Sequence, residues 1–235
     1  MTRALRKSIG QYVAEDYRSA AVFERYGIDF CCGGQVSFAS VCREKGLDSK
    51  VLEKELEEAR STPVLQSENY GAWELTFLAD YIVNTHHAWL NENTKQIAAY
   101  ANKIAEVHGD RHPEVIEIAN LFELIAADME AHLREEEEVL FPAVKRLEDA
   151  RKAKAEPATK DRTAIRGSLE KLHREHETIG DAVHHIRHLA KDYAIPADTC
   201  NTFAVTYHKL QEFEDDLHKH VHLENNILFL KSAQL

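Results

Sequence analysis

His132 to Pro142, HLREEEEVLFP, is the stretch from which the chain can be read. On an α-helix His132 and Glu136 are four residues apart and share one face, a turn apart. An imidazole nitrogen and a carboxylate so placed can hold one metal ion or pair with each other. A solvated acidic run with a surface histidine has the same pattern. His-x-x-x-Glu also occurs at His173/Glu177, His208/Glu212 and His220/Glu224, and with 14 His and 40 acidic residues some of these pairs arise by chance. Repetition separates two of the four. HLREEEEVLF at 132 returns as HVHLENNILF at 220, with His, Glu four later, a β-branched residue and Leu-Phe; the offset, 220 minus 132, is 88 residues. Self-similarity at a fixed spacing is the mark of a duplicated supersecondary unit.

The 235 residues allow one or two domains, each with a core of its own. Nine Gly and five Pro are too few for a many-turned β fold and point to long helices, an all-α class. A formal charge of −11 argues against a nucleic-acid partner; it suits the handling of cations, though solubility explains it equally well. The opening MTRALRKSIGQYV has no apolar core of the kind signal peptides carry, and no apolar run approaches membrane-spanning length. The expectation is no membrane association and a cytoplasmic location. Four cysteines (31, 32, 42 and 200), two of them adjacent, make a poor disulfide framework, so the adjacent thiols read as reactive or metal-binding.

Residues 1–62 read as a small helical unit. Helices are expected over Ser8–Val13, Ser19–Arg25 and Val36–Lys45, and from Asp48 or Ser49 to about Arg60 with Val51, Leu52 and Leu56 facing inward. Between the second and third lies YGIDFCCGG, whose glycines permit φ > 0 and would leave Cys31 and Cys32 at the head of a flexible turn. So small a core is expected to need docking or a second copy, which hints at a homodimer. Residues 63–71 read as a linker. From 72 to 235 the pattern is four long helices: Trp73 to Val107, Pro113 past Phe141, Thr163 to Tyr193, and Asp198 to Lys231, with the charged Lys145–Arg166 segment holding the second loop.

Inward seams place the candidate ligands. Helix three runs Ile165, Leu169, Leu172, His176, Ile179, Val183, Ile186, Ala190 by threes and fours, with His176 in a hydrophobe's place. Helix four gives Phe203, Leu210, Phe213, Leu217, His220, Glu224, Ile227, and helix two gives Ile118, Phe122, Ile125, Met129, His132, Glu136, Val139. Burying so many unpaired imidazoles and carboxylates would cost several kcal/mol each. Coordination removes that cost. In helix one His86 and His87 are adjacent; the offsets from His176 and His173 fit either. Taking His87, the candidate set is His87, His132, Glu136, His176, His220 and Glu224, too many for one ion and suited to two, iron or manganese before zinc.

These motifs, with EHETIG at His176 and THHAWL at His87, resemble the hemerythrin-like bundles, and YGIDFCCGG resembles the N-terminal domain of the repair of iron centres family. The resemblance covers essentially the whole chain. It implies an antiparallel hemerythrin-like four-helix bundle after the small domain. It places two iron ions, oxo- or hydroxo-bridged, on those six residues, and favours His87 over His86. It also implies a stress protein that repairs iron–sulfur clusters damaged by nitric oxide or oxidants, with damaged iron–sulfur proteins as clients. Iron donation, with Cys31 and Cys32 as thiol relay or redox gate, is the mechanism expected. A di-iron nitric oxide reductase or peroxidase, and a redox or diatomic-gas sensor, are the alternatives. The second tail lacks the Pro that Pro142 supplies after the first.

Overall fold

Ser8 begins the ordered helices by closing a capping box: its hydroxyl accepts from Gln11 N (3.2 Å) while its own N–H donates to Gln11 Oε1 (3.1 Å). The computed structural model describes residues 7–16, 18–31, 33–61 and 69–235. Helices in chain order are α1 Ile9–Glu15, α2 Ser19–Arg25, α3 Phe38–Glu44, α4 Ser49–Ser61, α5 Leu75–Ile82, α6 Ala88–His108, α7 Glu114–Glu135, α8 Phe141–Lys152, α9 Thr159–Leu189, α10 Asn201–Leu223 and α11 Phe229–Ser232. One-turn π-helical segments, Val83–His87, Glu136–Leu140 and Glu224–Leu228, join α5 to α6, α7 to α8 and α10 to α11 without a break. The fold is all-α. Extended pairing is confined, among the described residues, to an isolated antiparallel bridge between Ser8 and Ser37. Packing divides the chain into two units, Met1–Leu78 with Lys219–Leu235, and Ala79–His218.

In the first unit α1 to α4 bury Ile9, Tyr12, Phe23, Phe38, Leu52 and Leu56. Tyr12 is the hub, with Phe38 at 5.1 Å and Phe23 edge-on at 6.1 Å. Helix α3 starts at Phe38, later than Val36, because Ser37 caps it by accepting from Ser40 N. Val51, expected inside, is 51% exposed; Leu52 and Leu56 alone carry the inner face of α4. The residues Lys219–Leu235 belong here by packing. Lys231 Nζ donates to the Gly71 carbonyl (2.6 Å), and Asn226 Nδ2 to that of Phe30 (3.0 Å).

The second unit is an array of long helices closed by aromatic contacts from the middle of α10: Phe213 lies against Phe122 of α7 (4.9 Å) and Trp89 of α6 (6.4 Å). The charged segment between the second and third bundle helices is mostly helix, and only residues 153–158 stay outside it. Arg146 of α8 clasps the buried Asp161 of α9 through Nη2 (2.7 Å) and Nε (3.0 Å), so charges that suggest a loop instead tie two helices together. At its far end α9 stops at Leu189, short of the expected Tyr193. Lys191, Asp192 and Tyr193 take left-handed φ of 50°, 56° and 59°. They are held by the Tyr193 hydroxyl, which donates to the buried Glu214 carboxylate (2.7 Å), itself clamped by Arg187 Nε (2.8 Å). No helix among the described residues is long and apolar enough to cross a membrane.

Candidate metal centre

The helices that carry His87, Glu136 and Glu224 slip in phase at these residues, whereas α9 carries His176 on an unbroken α-helix. An α-helix returns to the same face after 3.6 residues; a π turn inserts one extra residue. In Glu136–Leu140 the closing bond runs from Phe141 N to Glu136 O, five residues back. Val139, expected in the seam, is therefore turned out (37% exposed) and Leu140 is fully buried. The same bond closes Glu224–Leu228, from Phe229 N to Glu224 O. In Val83–His87 the slip turns both neighbouring histidines inward, His86 at 4% and His87 at 1% exposure.

Within the unit Ala79–His218, His87, His132, Glu136 and His176 come together, each buried to 2% exposure or less. Glu136 Oε2 is the shared point, 3.3 Å from His87 Nε2 and 3.5 Å from His132 Nε2. His176 Nε2 lies 3.1 Å from His132 Nε2. The opposite nitrogens are held by carboxylates: His87 Nδ1 lies 2.8 Å from Glu137 Oε1, and His132 Nδ1 2.9 Å from Glu175 Oε2. A carboxylate there fixes the proton on Nδ1 and leaves Nε2 as the donor atom, the arrangement of metal-ligating histidines. The hydrogen bond from His132 holds the Glu175 carboxyl below its ordinary range. His87 also stacks on Phe141 (5.7 Å).

The four glutamates of the opening stretch separate by task. Glu135 accepts from Ser168 Oγ (2.7 Å) and pairs with Lys171; Glu136 is fully buried among the imidazoles; Glu137 braces His87; Glu138 stands in solvent, 70% exposed. His86 reaches Asp216 Oδ1 (2.9 Å) rather than Glu136. Glu175 and Asp216 are the site's neighbours that the seam pattern misses. Glu175 lies one residue off the seam at His176 and gave no signal of its own.

Within the other unit, His220 Nε2 lies 2.8 Å from Glu224 Oε1, both fully buried. The two residues after Glu224 bind the cysteine loop. Asn226 Nδ2 donates to Phe30 O (3.0 Å), Asn225 Nδ2 to Cys31 O (3.5 Å), and His222 meets the Phe30 ring edge-on (5.6 Å). Burial alone pushes the His222 imidazole down to about 3, so it is neutral. Cys31 is not on an exposed turn: it is 4% exposed, and its thiol lies 3.1 Å from Asp29 Oδ1. The glycines work by close approach. A Cβ on Gly34 would sit 2.3 Å from Phe30 O, and one on Gly10 2.0 Å from Asn226 Oδ1. Gly34 is not among the left-handed glycines, which are Gly27 and Gly46 among the described residues. Cys32 lies outside the described residues.

Imidazole nitrogen and carboxylate oxygen, buried and pre-oriented, form a donor set that fits iron, manganese or zinc. His184, Glu214 and His218 also lie close enough to share an ion, but Arg187 and Tyr193 already occupy the Glu214 carboxylate. That group is structural.

Residues 78–231 match the hemerythrin HHE cation binding domain, and residues 5–60 match ScdA_N, a Domain of Unknown function (DUF542). Relatives of similar length include the iron-sulfur cluster repair protein ScdA of Staphylococcus haemolyticus, 30% identical over 95% of this chain and 96% of the relative. The ScdA protein of Staphylococcus epidermidis is 34% identical over 93% and 95%. The iron-sulfur cluster repair protein YtfE of Musicola paradisiaca is 31% identical over 97% and 96%. The chain belongs to this family, the repair of iron centres proteins, in which a ScdA_N domain precedes a hemerythrin cation-binding domain.

Proposed function

We propose that the chain repairs damaged iron–sulfur clusters by delivering iron, holding two irons in its bundle. The six candidate ligands His87, His132, Glu136, His176, His220 and Glu224 would hold them, the imidazoles through nitrogen and the glutamates through carboxylate oxygen. The observation that carries this reading is the convergence of His87 and His132 Nε2 on one buried carboxylate oxygen, at 3.3 and 3.5 Å, with both Nδ1 atoms tied to carboxylates. The names of the relatives, and a cation-binding match that runs across both His-x-x-x-Glu pairs, support it.

Bound there, iron supplies positions for nitric oxide or oxidants and a store that can be given up. The chain's residues set how firmly it is held. Glu137 and Glu175, with side chains 38% and 33% exposed, keep protons on the Nδ1 atoms of His87 and His132 while in reach of water. They are the points where solvent can loosen an imidazole. Cys31 and Cys32 would be the thiols of the relay, and Asp29 Oδ1 accepts from the Cys31 thiol and orients its sulfur. The donated iron is cargo, and the clients are proteins whose clusters nitric oxide or oxidants have stripped.

The test is transfer. Iron-loaded protein mixed anaerobically with a cluster-depleted dehydratase, sulfide and thiol is expected to restore its activity, and Glu136→Ala protein to restore none. Iron that stays on the protein while the dehydratase remains inactive would contradict delivery.

A further inference from the structure

Cys200 stands apart from everything above. It directly precedes Asn201, the first residue of α10, at the position that caps a helix of 23 residues. The imidazole of His108, the last residue of α6, points at it, with Nε2 3.2 Å from Sγ. His108 is 6% exposed, and its Nδ1 is buried with no hydrogen-bond partner among the described residues. Phe203 packs edge-on against the ring at 5.4 Å and fixes its plane. The sulfur itself is open to solvent. His108 lies 21 residues beyond His87 along the same helix, about 30 Å at 1.5 Å per residue, so this pair is separate from the candidate metal centre.

We propose that Cys200 and His108 form a peroxide-reactive thiol site, at which hydrogen peroxide or a small hydroperoxide oxidises the sulfur to a sulfenic acid. The geometry supplies each participant. As sulfur attacks the near peroxide oxygen, an S–O bond forms and the O–O bond breaks. The thiol proton passes to His108 Nε2 and from there to the leaving oxygen. Sulfur loses two electrons and the peroxide, gaining them, leaves as water or an alcohol. The backbone N–H groups of Thr202 and Phe203 point at the sulfur and favour its anionic form. Other charges nearby are already engaged: His112 pairs with Glu114 (3.2 Å) and Asp198 (3.3 Å), so neither carboxylate faces the sulfur unpaired.

The His108 hydrogen bond, followed by the helix amides, draws the Cys200 thiol down to about 7. About half of it is thiolate at neutral pH, against about 3% for an ordinary cysteine. Cys42 is an internal control, since burial pushes its thiol up.

The experiment is site-resolved mass spectrometry of the full chain. Alkylation with iodoacetamide across pH 5.5 to 9.5 is expected to give a Cys200 midpoint near 7, and peroxide followed by dimedone to label Cys200. In His108→Gln the midpoint is expected to rise by a pH unit or more and dimedone labelling at pH 7 to fall severalfold. A wild-type Cys200 midpoint at the ordinary value near 8.5 would overturn the proposal even if His108→Gln fails to fold. So would dimedone labelling that His108→Gln, folded by circular dichroism, leaves unchanged.

Discussion

At the scale of single residues, Glu136 and its neighbour Glu138 make the sharpest contrast. One is fully buried against two imidazoles and the other is 70% exposed, though both belong to one acidic run. Glu136→Ala is expected to abolish tight iron binding, whereas Glu138→Ala should leave it unchanged, both read by metal analysis after gel filtration. Bracing carboxylates matter to a lesser degree. Glu137→Ala and Glu175→Ala are expected to weaken iron affinity about 10- to 100-fold while the fold persists. Iron affinity in both variants equal to wild type would show that the Nδ1 contacts do not tune the site. The sequence pointed to candidate ligand types because His-x-x-x-Glu at helical spacing repeats after 88 residues with the same tail. Spacing alone could not divide His86 from His87. Both are buried, and only the reach of His87 to Glu136 and of His86 to Asp216 tells them apart.

At the scale of helices, what the sequence conceals is phase. A reading by threes and fours assumes 3.6 residues per turn throughout and so carries Val139 into the core. The π turn places Leu140 there instead. Leu140→Ala is therefore expected to cost about 2–5 kcal/mol, and Val139→Ala about 0.5 kcal/mol or less, by urea denaturation of iron-free protein. Equal losses would contradict the phase slip. The α8–α9 hairpin offers a pH test. Arg146 holds the Asp161 carboxyl below its ordinary range, so the pair stabilises the fold above the unfolded carboxyl value near 3.9. That contribution fades as pH falls through the lower folded value. Asp161→Asn is expected to lose about 1–2 kcal/mol at pH 7, discounted for the exposed guanidinium, and progressively less below about pH 4. A loss as large at pH 3 as at pH 7 would rule the ion pair out as its source. Charge density made this region look like a loop, because an ion pair between helices and a solvated loop have the same composition.

At the scale of the molecule, all-α class, the long helices and their order were legible because few glycines and prolines interrupt long amphipathic periods. Contacts between distant residues were not. Nothing in the pattern says that Asn225 and Asn226 hold Cys31 and Phe30, nearly two hundred residues earlier, or that Gly10 and Gly34 are small to admit the Asn226 amide. These contacts put the cysteine loop and the His220/Glu224 pair in one packed unit. Asn226→Leu is accordingly expected to unseat the loop and speed alkylation of the buried Cys31 severalfold, read by peptide mass spectrometry. Unchanged Cys31 protection would show that Asn226 does not hold it.

The six-residue, two-iron centre is tested most directly by anaerobic titration of metal-free protein with ferrous iron. The expected endpoint is two irons per chain, lost together in Glu136→Ala because the proposed centre relies on that buried carboxylate for both. A sharp endpoint at one ion per chain, or two irons still bound tightly by Glu136→Ala, would contradict it.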